Sequence, residues 1–220
     1  MAVVAGGLMA QAVLFLWLLS GALIAAEPLR TITPEQMIEW EPHAFAELTQ
    51  YQLTTHRGRT AVEALCAPGS ASGLFYLGEI DLEATPIIEW DWAIAMTFDD
   101  IDETTRSGDD YPARLYVVDD RRPWLWQTRA VNYVWSSVQP RRSVWPNAYQ
   151  QRAIMIAVQS GLPEEPGAWV TQRRNIRQDF QVQHERDLRR INSLAIMTDC
   201  DDAGQPAQAW YGEIRFYAEP

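Results

Sequence analysis

Apolar and polar residues alternate along most of this chain with a period of two, the repeat of a β-strand that buries one face. Over Ile88–Phe98 the residues Ile88, Trp90, Trp92, Ile94, Met96 and Phe98 share one face, with Glu89, Asp91, Ala93, Ala95 and Thr97 on the other. This pattern predicts a half-buried strand. Shorter runs follow the same rule: Leu74, Tyr76, Ile80 and Leu82; Val131, Tyr133 and Trp135; Ile154, Ile156 and Val158; Trp210, Ile214 and Phe216. Leu115–Val118 and Leu194–Met197 are apolar on both faces, which predicts strands in the middle of a sheet. Turn clusters at Cys66–Ser70, Arg106–Asp110, Gln139-Pro140, Gly161–Pro163 and Asp199–Pro206 separate these runs. About nine short strands at this spacing predict an all-β single domain, a β-sandwich or jelly roll, rather than a βαβ fold.

Two segments break the pattern. Thr33-Pro34-Glu35-Gln36 has Thr at an N-cap position, Pro at the first helical position and Gln three residues after the cap. It predicts a short lead-in helix or turn running to Trp40. Asn175–Arg190 is polar, with Ile176 and Phe180 one helical turn apart, and predicts an internal helix.

The first 26 residues differ from the rest. Between Ala2 and Ala26 there is no Asp, Glu, Lys, Arg or His; Val13–Leu19 is strongly apolar, and small residues close the segment before Glu27. This predicts a signal peptide cut after Ala26 or Ala25. The stretch has no basic n-region and reaches the roughly 20 residues that span a bilayer, so a retained anchor is the alternative. Either way the rest of the chain is expected in the periplasm or secreted, in a Gram-negative cell envelope. The expected layout is a signal segment at 1–26, a lead-in at 27–40 and one sandwich domain at 41–220.

A net charge of −11 falls entirely after that segment. It argues against nucleic acid and anionic lipid as partners, because both need a basic footprint; membrane contact is expected only through an uncleaved leader. All 18 basic residues are Arg, so Schiff-base and pyridoxal chemistry, which need a lysine amine, are excluded. Cys66 and Cys200 are the two cysteines. In an oxidising compartment they can form one bridge, or each can be a small core residue.

Candidate chemistry is sparse. His43, His56 and His184 are scattered without metal-ligand spacing, and there is no G-x-S-x-G elbow, Walker loop or G-x-G-x-x-G. Trp90, Trp92, Trp135 and Trp210 fall on apolar strand faces and are expected to fill a core. Trp124, Trp126 and Trp145 lie near Pro and Arg, where they could form an exposed binding patch. Gly108-Asp109-Asp110-Tyr111 precedes Arg114, a cation placed to pair with the carboxylates at the mouth of a strand. The group is either a fixed polar network or a ligand-orienting site. Asp199-Cys200-Asp201-Asp202-Ala203-Gly204 offers alternating carboxylates before a Gly turn. Asp199, Asp201 and Asp202 could bind calcium or simply cap their own turn. The acidic runs Asp99–Glu103 and Asp119-Asp120 are expected to be solvated loops.

Read in order, these segments resemble an uncharacterised bacterial family, domain of unknown function 3047. The resemblance runs through Ala71–Leu74, Glu89-Trp90-Asp91-Trp92, Gly108–Val117, Asn132–Trp135 and Pro146-Asn147-Ala148-Tyr149. It continues at Trp169, Arg174–Ile176 and Asp179-Phe180, and closes on Ile196–Asp202 and Trp210–Ile214. It implies an exported β-sandwich and no known activity or cofactor. Asn132, Asn147 and Tyr149 enter the candidate ligand set beside Asp109, Asp110, Tyr111, Arg114, Trp124, Trp126 and Trp145. The chain departs from the family pattern twice. It has Asp199-Cys-Asp-Asp-Ala where Asp-Thr-Asp-Asn-Thr is usual, and Asp91 where a basic residue usually separates the paired tryptophans.

Two functions follow, with a third behind them. A non-catalytic domain would bind a glycan or other polar envelope ligand; a carbohydrate-active hydrolase or lyase would use Asp109 with Asp110, or Asp199 with Asp201. A structural envelope protein would hold no small ligand.

Overall fold

The computed structural model describes residues 26–219, so the expected signal segment lies, but for Ala26, outside the described residues. Two antiparallel-rich sheets face each other as a β-sandwich, as the alternation predicts. One has six strands: β3 (Gln50–His56), β4 (Arg59–Cys66), β13 (Ala207–Tyr217), β6 (Ile87–Ile94) and β11 (Val170–Asn175) in spatial order, with β1 (Arg30–Ile32) beside the second half of β13. The other has seven: β2 (Glu41–Ala44), β5 (Ala71–Asp81), β12 (Arg190–Asp199), β7 (Ala113–Asp119), β8 (Arg129–Ser136), β10 (Ala153–Ser160) and β9 (Val144–Pro146). Only β8 and β10 pair in parallel within this sheet; its other pairs are antiparallel.

Between the sheets lies one main core. Trp90 and Trp92 of β6 meet Tyr133 and Trp135 of β8, with Trp90 stacked on Tyr133 at 5.2 Å between ring centroids and Trp92 tilted on Trp135 at 5.8 Å. Leu115, Val117, Leu194 and Ile196 complete it from the two central strands. The predicted strand at 88–98 ends early, at Ile94. Phe98 turns instead into a small cluster with Cys66, Cys200 and Ala207.

Trp210 does not share a face with Ile214 and Phe216. The pairing of β13 with β6 shifts between Tyr211 and Ile214, and one extra residue in a strand reverses which side the next residues face. Tyr211 therefore joins Ile214 in the main core, while Trp210 packs outside the sheet with Ala61 and Ala93 and stacks on His56 at 3.9 Å.

The helices are short. Pro34–Met37 forms α1, where the Thr33 N–H donates to the Gln36 side chain at 3.0 Å. Ile176–His184 forms α2, shorter than expected, with the Asn175 side chain accepting from the Gln178 N–H at 2.9 Å. Its buried Ile176 and Phe180 close one end of the core. Cys66 and Cys200 are joined by a disulfide with Cα atoms 6.2 Å apart, tying β4 of one sheet to the turn after β12 of the other.

The two acidic runs are not wholly solvated. Glu103 is fully buried and accepts from the Ser136 hydroxyl, the Ser137 N–H at 2.6 Å and the Gln139 N–H at 3.3 Å. Asp119 is buried between Arg121 and Arg186, at 2.7 Å from each. Glu103, and Asp119 through Arg186, find donors far along the chain, which local composition cannot reveal.

Candidate functional site

The residues on the outer face of the seven-stranded sheet line up in rows, because opposed residues in neighbouring strands share a face. One row runs Phe75, Ala195, Tyr116, Asn132, Met155; the next runs Gly73, Met197, Arg114, Val134, Ala157. Gly73 has no side chain, and the space beside it is taken up by the Phe75 ring and the neighbouring strand. An added Cβ at Gly73 would stand 2.8 Å from the Ile196 carbonyl oxygen and 3.0 Å from the Phe75 ring. Over this floor lies a cleft of about 560 Å³, within the size range of small-ligand sites. Its rim comes from the loops around Asp109, Asn147–Gln150 and Asp199–Asp202, and from Phe45.

Arg114 is the centre of this arrangement. It is buried, lies 4.2 Å from the Tyr111 ring centroid, and donates from Nε to Asp199 Oδ1 at 3.0 Å and from Nη2 to Asp199 Oδ2. Its other bonds reach the Asp109 carbonyl at 2.5 Å and the Tyr116 hydroxyl at 3.0 Å. The expected pairing of Arg114 with a carboxylate occurs, but the partner is Asp199 from the second acidic segment. The two constellations are one.

The remaining acids divide by their partners. Asp109 accepts from the Tyr111 hydroxyl at 3.2 Å and from the Asn147 amide; burial raises its pKa against the pull of Arg114. Asp202 accepts from the Tyr149 hydroxyl at 2.8 and 2.9 Å, and burial raises its pKa too. Asp110 is fully buried, accepts from the Ala203 N–H, and keeps Oδ1 without any partner. Burial, with Asp201 and Asp202 nearby, pushes its carboxyl up to about 6. Oxygens of Asp110, Asp199 and Asp201 lie within 4.8 Å of one another, so these three are the acids placed to share a cation.

Of the residues picked out in the sequence, Asp109, Arg114, Asn132, Asn147, Tyr149, Asp199, Asp201 and Asp202 line the cleft. Asn132 is buried in its floor with Oδ1 unpartnered. Tyr111 and Asp110 sit behind the cleft wall rather than on it. Trp145 is buried, against the expectation of an exposed patch: its Nε1 donates to the Glu103 carbonyl at 3.1 Å and props the Tyr111 hydroxyl. Trp124 and Trp126 are exposed, but neither lines the cleft. Phe45, Phe75, Tyr116 and Met197 line it and were not singled out in the sequence. The available signal was an aromatic or apolar residue on the supposedly outer face of a strand, as at Phe75 between Leu74 and Tyr76.

The model of a family of proteins of unknown function, DUF3047, matches residues 38–215. This chain belongs to the DUF3047 family. No curated protein matches it. Solved structures similar to this DUF3047 chain include two modules of cellulosomal cellulases of Clostridium thermocellum. The family 11 carbohydrate-binding module of Lic26A-Cel5E is 10% identical over 90% of this chain and 97% of that one, with a TM-score of 0.48. The family 30 carbohydrate-binding module of Cel9D-Cel44B is 10% identical over 87% and 99%, with a TM-score of 0.47. TmCBM61, solved with beta-1,4-galactotriose, is 12% identical over 83% and 90%, with a TM-score of 0.41. At such distances the ligands of those proteins do not say what the DUF3047 cleft holds.

Proposed function

We propose that this DUF3047 protein is an exported domain of the cell envelope that binds a neutral glycan, without acting on it, in the cleft over the seven-stranded sheet. The observation that carries the reading is the lining of that cleft. Rings of Phe45, Phe75, Tyr116 and Tyr149 stand beside oxygen acceptors of Asp109, Asn132, Asp201 and Asp202. Sugars present apolar C–H faces next to hydroxyl donors, and such a lining answers both. Charge narrows the choice: the four cleft acids outnumber the single Arg114, so uronates and phosphorylated polymers would be repelled.

The hydrolase reading is less well supported. It needs two carboxyls facing each other across an open cleft. Asp199 is held by Arg114, and Asp110 lies outside the cleft lining, so each pair named from the sequence lacks one free member. Export is supported by the uncharged apolar leader, and by the Cys66–Cys200 bridge, which persists in oxidising compartments.

The test is a glycan array followed by calorimetry with neutral and acidic oligosaccharides. Binding to neutral chains, with no release of reducing ends on long incubation, is the expected result. Silence across the array would leave the protein a structural one; steady release of sugar would make it an enzyme.

A further inference from the structure

The acids in and behind the cleft wall pose a charge problem that their hydrogen-bond donors answer only in part. Segments 109–114 and 199–202 bring together Asp109, Asp110, Asp199, Asp201 and Asp202 around one interior cation, Arg114; Arg106 adds a second at the rim, over the Tyr149 ring at 5.1 Å. Asp109 and Asp202 are each answered by neutral donors, from Tyr111 and Asn147 and from Tyr149. Asp110 is not. Its carboxylate is wholly removed from solvent and one of its oxygens has no donor, although buried polar atoms almost always find one.

We infer that Asp110, Asp199 and Asp201 form a binding site for a divalent metal ion, of which calcium is the best fit. All the side-chain donors are oxygens, the ligands of a hard cation. Their mutual spread, within 4.8 Å, is that of a calcium coordination sphere, about 4.6–5.2 Å across for bonds of 2.3–2.6 Å. Asp201 is exposed and gives the ion a way in, while buried Asp110 supplies the unanswered oxygen. Asp199 can still serve the ion, since a carboxylate has about four lone-pair sites; Arg114 takes two and the Tyr111 N–H a third, which leaves one on Oδ2. The set differs from the one composition suggests: Asp202 is occupied by Tyr149, and Asp110, ninety residues away in sequence, takes its place.

The site shares Asp199 and Asp201 with the cleft lining, but metal binding does not depend on the glycan reading and is tested without sugar. The purified protein, cleared of metal with EDTA, is titrated with calcium chloride alone by calorimetry and by thermal melting. Binding of one ion with a rise in Tm of several degrees is expected. Asp201→Asn, an exposed change that spares the fold, is expected to weaken calcium at least about tenfold, as losing a ligand or its supporting partner does. Asp202→Asn should weaken it less. No heat and no shift in Tm with calcium, magnesium or manganese would overturn the site. Equal losses in the two variants would overturn the assignment of its ligands.

Discussion

Arg114, two residues into β7, grips both carboxylate oxygens of Asp199, the last residue of β12, across a separation of 85 residues. Both side chains are buried. Removing one partner of such a pair strands a charge in the interior, at a cost of about 3–5 kcal/mol. Arg114→Ala is therefore expected to lower the urea midpoint sharply. Arg114→Lys should recover only part of the loss, because an ammonium lacks the planar fork. A variant as stable as the parent would show that the pair is not sealed from water.

The cleft predicts a contrast between aromatic positions. Tyr149→Ala and Tyr116→Phe should weaken a bound neutral oligosaccharide, the first by about tenfold, within the 1–3 kcal/mol of a lost stacking or hydrogen-bonding group. Trp124→Ala and Trp126→Ala, exposed but outside the cleft, should leave affinity unchanged. Calorimetry on the four proteins separates the cleft from a tryptophan patch.

Reducing the Cys66–Cys200 bridge frees a sequence separation of 134 residues. Closing a loop of that size stabilises by about 4–5 kcal/mol on the chain-entropy account. Urea unfolding with and without reductant should show a loss of that order, and Cys200→Ser alone should reproduce most of it.

Asp91 sets an acid limit. Burial by itself would raise its carboxyl, but hydrogen bonds from Arg215, Thr171 and Arg59 outweigh burial and hold the pKa below its ordinary value. A lowered folded-state pKa gives stability that is present above the unfolded value, near 3.9, and is lost as pH falls through the folded one. The Asp91→Asn variant should melt lower than the parent at pH 7 and converge with it only as pH falls through the lowered folded-state pKa of Asp91. Parallel melting curves across that range would contradict the linkage.

The sheet class, the core strands and the short capped helices were legible because they follow from period and local chemistry. Ile88 to Ile94 reads as a half-buried strand from its alternation alone, but Asp91 and Ala93 on the predicted outer face are buried too, under groups from other segments such as Trp210 and Arg215. Trp210 was misassigned because the extra residue in β13 reverses facing, and nothing in Trp210–Phe216 marks a bulge except Gly212. Glu103, Asp119 and Trp145 looked exposed because their partners, Ser136, Arg186 and Tyr111, are distant in sequence.

Alternation along the chain alone determined a two-faced sheet protein: the cost of burying polar groups obliges apolar residues at every second position to turn inward. The uncharged leader, likewise, is a property of consecutive residues. Tertiary structure alone decided that Gly108–Arg114 and Asp199–Asp202 lie together, since the pairing of β12 beside β7 brings them side by side. It alone decided which acids are answered and which is not. Register between strands 80 residues apart is a property of the whole core, and no local run of residues carries it.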